Sequence, residues 1–225
     1  TVDVEGRTLA ERLDEPEAWV DRAIIRTAED PVSPVGGLVA LSGSLAPDGA
    51  IFKRAAATPE LFESEGRAVV FTGLEDLSAR IDDPALDVAP GDILVLQNAG
   101  PHAAGMPEAG YLPIPKKLAQ AGVKDMVRIS DARMSGTAFG SIVLHVAPEA
   151  AVGGPLAAVR DGDRIRLSIQ DKRVDLLVAE DEIARRLADH RPPPAPARGY
   201  KALYRRSVTQ APEGCDFDFL AKAEG

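Results

Sequence analysis

Apolar runs separated by turn formers dominate the chain. Residues 126–146, MVRISDARMSGTAFGSIVLHV, show the pattern most sharply: a strand-like entry ending near Ile129, a polar small-residue run over 130–140, then a second apolar strand through Ile142, Val143, Leu144 and Val146. Upstream, the same reading predicts a buried strand over 38–41 and another over 68–71. A third, over 92–97, is apolar at nearly every position and so is expected to be buried on both faces. Downstream, Ile165, Leu167 and Ile169 alternate with Arg164, Arg166 and Ser168, the pattern of a half-exposed strand. A strand over 156–159 and a turn at Asp161-Gly162 should precede it; Asp171-Lys172 should turn the chain into a strand over 174–178. Helical spacing is confined to short segments: 74–81 with Leu74, Leu77 and Ile81 on one side, 116–121 ended by Gly122, 180–188, and 199–210. The expected fold class is mainly β with peripheral helices (α+β).

Turn formers set the boundaries. Pro47-Asp48-Gly49 reads as a tight turn, and Thr58-Pro59 as an N-cap with a first-turn proline. Residues 148–155 read as one helical turn stopped by glycines. Residues 1–35 mix charge and proline around a short amphipathic stretch (Leu9, Leu13, Trp19, Val20), with Trp19 as an anchor pinning this arm to the core. The expected organisation is an N-terminal connecting arm over 1–35, a β-barrel-like domain over 36–190, and a proline-rich connector with a C-terminal helix and tail over 191–225. In that tail, Phe217, Phe219 and Leu220 are apolar enough to dock on another surface.

Composition narrows the class. The chain has 225 residues, 45% of them apolar, enough for one sizeable core with appendages. A net charge of −9 argues against nucleic acid or an anionic membrane as partner; an acidic substrate would need local cations, a metal or backbone N–H groups. Cys215 is the single cysteine, so neither an internal disulfide nor a complete iron–sulfur ligand set lies in this sequence. Together with the lack of a leader or a long apolar run, this suggests a cytoplasmic setting. The start at Thr1, without methionine, suggests a piece of something longer.

Candidate chemistry gathers on two loops. Ser135 and Thr137 flank Gly136, so in an extended loop both hydroxyls could face one side; Gly136 and Gly140 allow close backbone approach. Ser-Gly-Thr between strands is also ordinary turn chemistry, and spacing does not separate the two readings. Residues 98–115, stiffened by four prolines and three glycines, form a loop too long and apolar for a linker. Within it Glu108 stands alone among small and apolar residues: either a solvated loop carboxylate or one partnered by a cation or divalent metal. His102, His145 and Cys215 read as structural groups, and Lys53 as a solvated side chain or a cation near a substrate carboxylate.

The stretches GGLVALSGSLAPDGAIFK (36–53), GDILVLQNAGP (91–101), residues 105–167 from GMPEAGYLPIP to DGDRIRL, and GCDFDFL (214–220) together resemble the C-terminal part of the dihydroxy-acid and sugar-acid dehydratase family. The likeness runs from Val35 to Leu220, in order; MSGTAFG and GCDFDFL resemble the arabinonate-type aldonic-acid dehydratases most. It implies a β-barrel-like swivelling domain that closes over a larger N-terminal domain. There an iron–sulfur cluster, expected as 2Fe-2S, and Mg2+ would be held, with the cluster cysteines outside this chain. It also implies Ser135 as base, Thr137 as a residue that holds substrate or orients Ser135, and Glu108 as a magnesium ligand. The implied reaction turns a 2,3-dihydroxy sugar acid into a 2-keto-3-deoxy acid, in a homo-oligomer (dimer or tetramer), with this chain alone inactive. His102 and Ala132 depart from the family pattern. Three alternatives stand beside this reading: a branched-chain dihydroxy-acid dehydratase, a stand-alone sugar-acid binding module, and a serine hydrolase, which lacks a G-x-S-x-G elbow.

Overall fold

A computed structural model describes residues 2–13, 20–106, 112–133, 135 and 139–220. The chain divides into two units, Thr1–Gly36 and Gly37–Gly225. In the first, α1 (Leu9–Leu13) is opened by a reciprocal cap: the Glu11 carboxylate accepts the Thr8 N–H at 2.6 Å and the Thr8 hydroxyl accepts the Glu11 N–H at 3.3 Å. Arg7 and Arg12 pair with Glu5 and Asp3, while Leu9 and Leu13 are exposed. Local charge, rather than burial, holds this short helix. Trp19, expected as an anchor, lies outside the described residues.

The second unit is a closed barrel. Its strands are β1 (Val39–Gly43), β2 (Ala46–Phe52), β3 (Glu63–Phe71), β4 (Ile93–Leu96), β5 (Arg128–Ser130), β6 (Ile142–Ala147), β7 (Arg164–Ser168) and β8 (Arg173–Leu176), in spatial order β1-β2-β6-β5-β4-β3-β7-β8. Strands β3, β4, β5 and β6 run parallel to their neighbours in that series; β1–β2, β2–β6, β3–β7 and β7–β8 are antiparallel. The barrel closes where Ser42 of β1 meets Arg173 of β8. The fold is mainly β with short helices outside.

Pleating divides each parallel strand between two cores. Ala68, Val70, Ile93, Val95, Ile129 and Val143 join one cluster with residues of β7 and β8, filling the barrel. Their alternating neighbours Val69, Phe71, Leu94, Leu96, Ile142 and Leu144 join a second cluster outside. That outer layer is covered by α2 (Leu74–Arg80) and α4 (Lys116–Gln120) through Leu77 and Leu118. Burial on both faces explains why β4 reads as continuously apolar.

Several expectations are corrected. Residues 38–41 are not a buried strand: β1 starts at Val39 with alternating exposure, and Leu38 is exposed. Pro47-Asp48-Gly49 is not the turn. The chain turns between Gly43 and Ala46, and these residues lie inside β2, where the pairing with β6 shifts register between Gly49 and Ile51. A bulge tolerates proline and glycine in a strand. Residues 156–159 are not a strand: 156–158 belong to a 3-10 turn, Pro155–Ala158, opened by a proline that lacks an N–H, and Val159 follows it in extended backbone. Strand β3 reaches back to Glu63, because residues 63–67, Glu63, Ser64, Glu65 and Arg67 among them, pair with β7. The long 98–115 loop contains a four-residue helix, α3 (Pro101–Ala104). Helix α5 (Glu180–Ala188) matches expectation, and α6 (Tyr200–Ser207) ends three residues before the expected 210, where Val208 is extended.

Candidate active site

In an open or rolled parallel sheet, chain segments leaving the carboxyl ends of the strands are where side chains converge. Here those ends belong to β3, β4, β5 and β6. Residue Ser135 lies on the connection between β5 and β6, half-buried. Glu108, on the connection between β4 and β5, and Thr137 lie outside the described residues.

Two buried carboxylates organise this end of the barrel. Asp131 directly follows β5 and is 1% exposed. Its Oδ1 accepts the Ala99 N–H at 2.8 Å and its Oδ2 the Ala150 N–H at 2.9 Å, so one side chain joins the exits of β4, β5 and β6. Burial pushes Asp131 up to about 7 against those two hydrogen bonds, and the nearby charge of Glu149 pushes the same way. Glu149, also 1% exposed, accepts the His102 N–H at 2.8 Å and the Gln210 Nε2–H at 2.8 Å, while its own N–H donates to Gln210 Oε1 at 2.9 Å. Gly100 makes room: a Cβ there would overlap the Glu149 carboxylate. The C-terminal segment is thereby fastened to the start of α3. Ser130 completes the exit, its hydroxyl accepting the Ala132 N–H at 3.0 Å, and the His145 N–H donates to the Ala132 carbonyl at 2.9 Å. Burial lowers the His145 pKa, with Arg133 adding to the effect, which favours a neutral imidazole.

At the opposite end of β5, Asp125 accepts the Ser141 N–H at 2.9 Å and the Ser141 hydroxyl at 2.8 Å, and the Thr58 N–H at 3.3 Å. Burial raises its pKa, but these donors and Arg128 outweigh it and hold the carboxylate below its ordinary value. The connection bearing Ser135 is therefore pinned where it leaves β5 and where it enters β6.

Of the other sequence candidates, His102 contributes its backbone N–H to Glu149, Cys215 is half-buried with its N–H on the Gln210 carbonyl at 3.2 Å, and Lys53 is half-buried just after β2. Among the described residues no three His, Cys, Asp or Glu side chains converge as a metal site, and no helix is long and apolar enough to cross a membrane. Sequence reading missed Asp131, Glu149, Asp125, Arg128 and Gln210. Two of them carried a signal: Arg128 interrupts an apolar strand, and Asp125 stands three residues before it.

Comparison with known proteins bears on the same segments. Residues 23–215 match the family model described as dihydroxy-acid/6-phosphogluconate dehydratase C-terminal. The 6-deoxy-6-sulfo-D-gluconate dehydratase of Pseudomonas putida is 54% identical over 91% of this chain and 36% of its own length. The L-arabonate dehydratase of Azospirillum brasilense is 49% identical over 99% and 39%. A dihydroxy-acid dehydratase of Acidothermus cellulolyticus is 43% identical over 94% and 37%. The chain thus spans little more than a third of each of these relatives. Barrel, buried carboxylates and Ser135 all fall inside the matched segment, and the chain belongs to the dihydroxy-acid/6-phosphogluconate dehydratase C-terminal family.

Proposed function

We propose that this chain is the active-site-completing C-terminal domain of a hydro-lyase that converts a sugar acid, an aldonate bearing hydroxyls at C2 and C3, into a 2-keto-3-deoxy acid. The observation that supports the reading is that the connection bearing Ser135 is pinned at both of its ends, by Asp131 where it leaves β5 and by Asp125 where it enters β6. The higher identity to relatives named for sugar acids, 54% and 49% against 43%, favours an aldonate over a branched-chain dihydroxy acid.

In this reaction the C2 proton leaves, the C3–O bond breaks, and the resulting enol tautomerises to the 2-keto acid. Ser135 takes the C2 proton, and Thr137 holds the substrate or orients Ser135. A serine hydroxyl is too weak a base unless its alkoxide is stabilised by neighbouring positive charge. Magnesium and an iron–sulfur cluster, expected as 2Fe-2S, would supply that charge and Lewis acidity toward the leaving oxygen. The donors present fit a partial contribution. One half-buried cysteine cannot hold a cluster, and Glu108 would be a single magnesium ligand. The remaining ligands would come from an N-terminal domain of a longer polypeptide, this chain alone would be inactive, and the enzyme would work in the cytoplasm as a dimer or tetramer.

In the full-length protein, Ser135→Ala should keep the fold and the cluster spectrum yet lose at least about a thousandfold in kcat, the scale expected when a group acting in the transition state is removed. Dehydration of aldonates at near-parental rate by that variant would remove Ser135 from the role of base.

A further inference from the structure

The outer face of β5 carries a cation with no role in the chemistry above. Arg128 lies between Leu94 of β4 and Ile142 of β6 in register, and is 7% exposed. Burying a guanidinium in an apolar layer is unfavourable unless its donors are met. Its Nη1 donates to the Leu112 carbonyl at 3.1 Å and its Nη2 to the Phe139 carbonyl at 3.0 Å, with Asp125 Oδ1 at 3.3 Å from Nη2. Its Nε has no partner among the described residues. Asp125 has other donors besides Arg128, in Ser141 and Thr58. Gly140, at φ +100°, leaves the space: a Cβ there would overlap the guanidinium.

What Arg128 joins is informative. Leu112 belongs to the connection between β4 and β5 that carries Glu108, and Phe139 to the connection between β5 and β6 that carries Ser135. Main-chain carbonyls are fixed points of the backbone, and a planar fork that serves two of them fixes their separation. Asp131 ties the first of these connections to the second at the other end of β5, through Ala99. We propose that Arg128 is a positioning residue, setting the separation of the two connections that bear Ser135 and Glu108. The proposal rests on the roles given to those residues above.

Arg128→Lys in the full-length dehydratase is the test, because lysine keeps the charge beside Asp125 but lacks the fork. Its kcat should fall ten- to a hundredfold with KM changed less. Amide exchange in 98–115 and 131–141 should accelerate together, about tenfold or more, with β7 and β8 unaffected. In Arg128→Ala, millimolar guanidinium should restore part of the lost kcat. Gly140→Ala should reproduce the paired acceleration, and Arg128→Lys carries the test if the alanine variants fail to fold. The proposal is overturned by an Arg128→Lys enzyme within twofold of parental kcat, by acceleration in only one connection, or by acceleration throughout the barrel. Exchange needs no turnover, so an active Ser135→Ala enzyme would sink the assigned chemistry while leaving the coupling of the two connections measurable.

Discussion

The two sides of the barrel handle charge differently. On the hairpin side, Arg164 pairs with Glu65 at 2.8 Å, Arg166 with Asp171 at 3.3 Å and Arg173 with Asp175 at 2.6 Å, with every arginine more than half exposed. On the parallel side, β3 to β6 are sandwiched between two apolar cores; Asp131, Glu149 and Arg128 are buried, as is the side chain of Asp125, and all four are bonded mostly to backbone. Water screens the first set; the second set joins connections separated in sequence. Parallel pairing forces long excursions between strands, and buried polar side chains hold those excursions in place.

The sharpest way to break this contrast is to damage the two-sided burial itself. Leu94, fully buried between β3 and β5, should lose about 4 kcal/mol as Leu94→Ala, read as a lower denaturant midpoint. Next comes the carboxylate at the strand exits. Asp131→Ala leaves the Ala99 and Ala150 N–H groups without their acceptor, for a loss of about 2–3 kcal/mol. Asp131 should also leave a pH signature. Its folded-state pKa is raised from 3.8 to about 7, so across that window the folded chain keeps a proton that the unfolded chain releases, and stability falls as pH rises. Above about pH 7 this contribution is flat. Denaturant titrations of Asp131→Asn should show the decline removed; an unchanged slope would contradict the shift. The smallest effect belongs to the hairpin side: Arg164→Ala should change stability by no more than about 0.5 kcal/mol, and added salt should shrink even that.

The same division decides what could be read from sequence. Strands β4 and β6 and helix α5 follow directly from apolar runs and helical spacing, since burial on both faces or on one stripe leaves an unmistakable pattern. The 63–67 half of β3 was hidden because it carries no apolar side chain and gains strand geometry by pairing with β7. The turn assigned to Pro47-Asp48-Gly49 failed because these residues also suit a bulge, and only the β2–β6 register distinguishes the two. Ser135 was visible as a polar interruption between apolar strands. Asp131 and Glu149 were not, because their importance lies in N–H groups up to 61 positions away. Distance along the chain hides such bonds, whereas local composition does not.

Closure of the sheet at Ser42 and Arg173 also limits how this body can meet another. Each of the eight described strands has a neighbour on both sides, which works against a neighbouring polypeptide annexing the sheet by contributing an extra strand. Recognition must instead go through side chains and the loops at either rim, which can be remodelled without disturbing the ladder beneath.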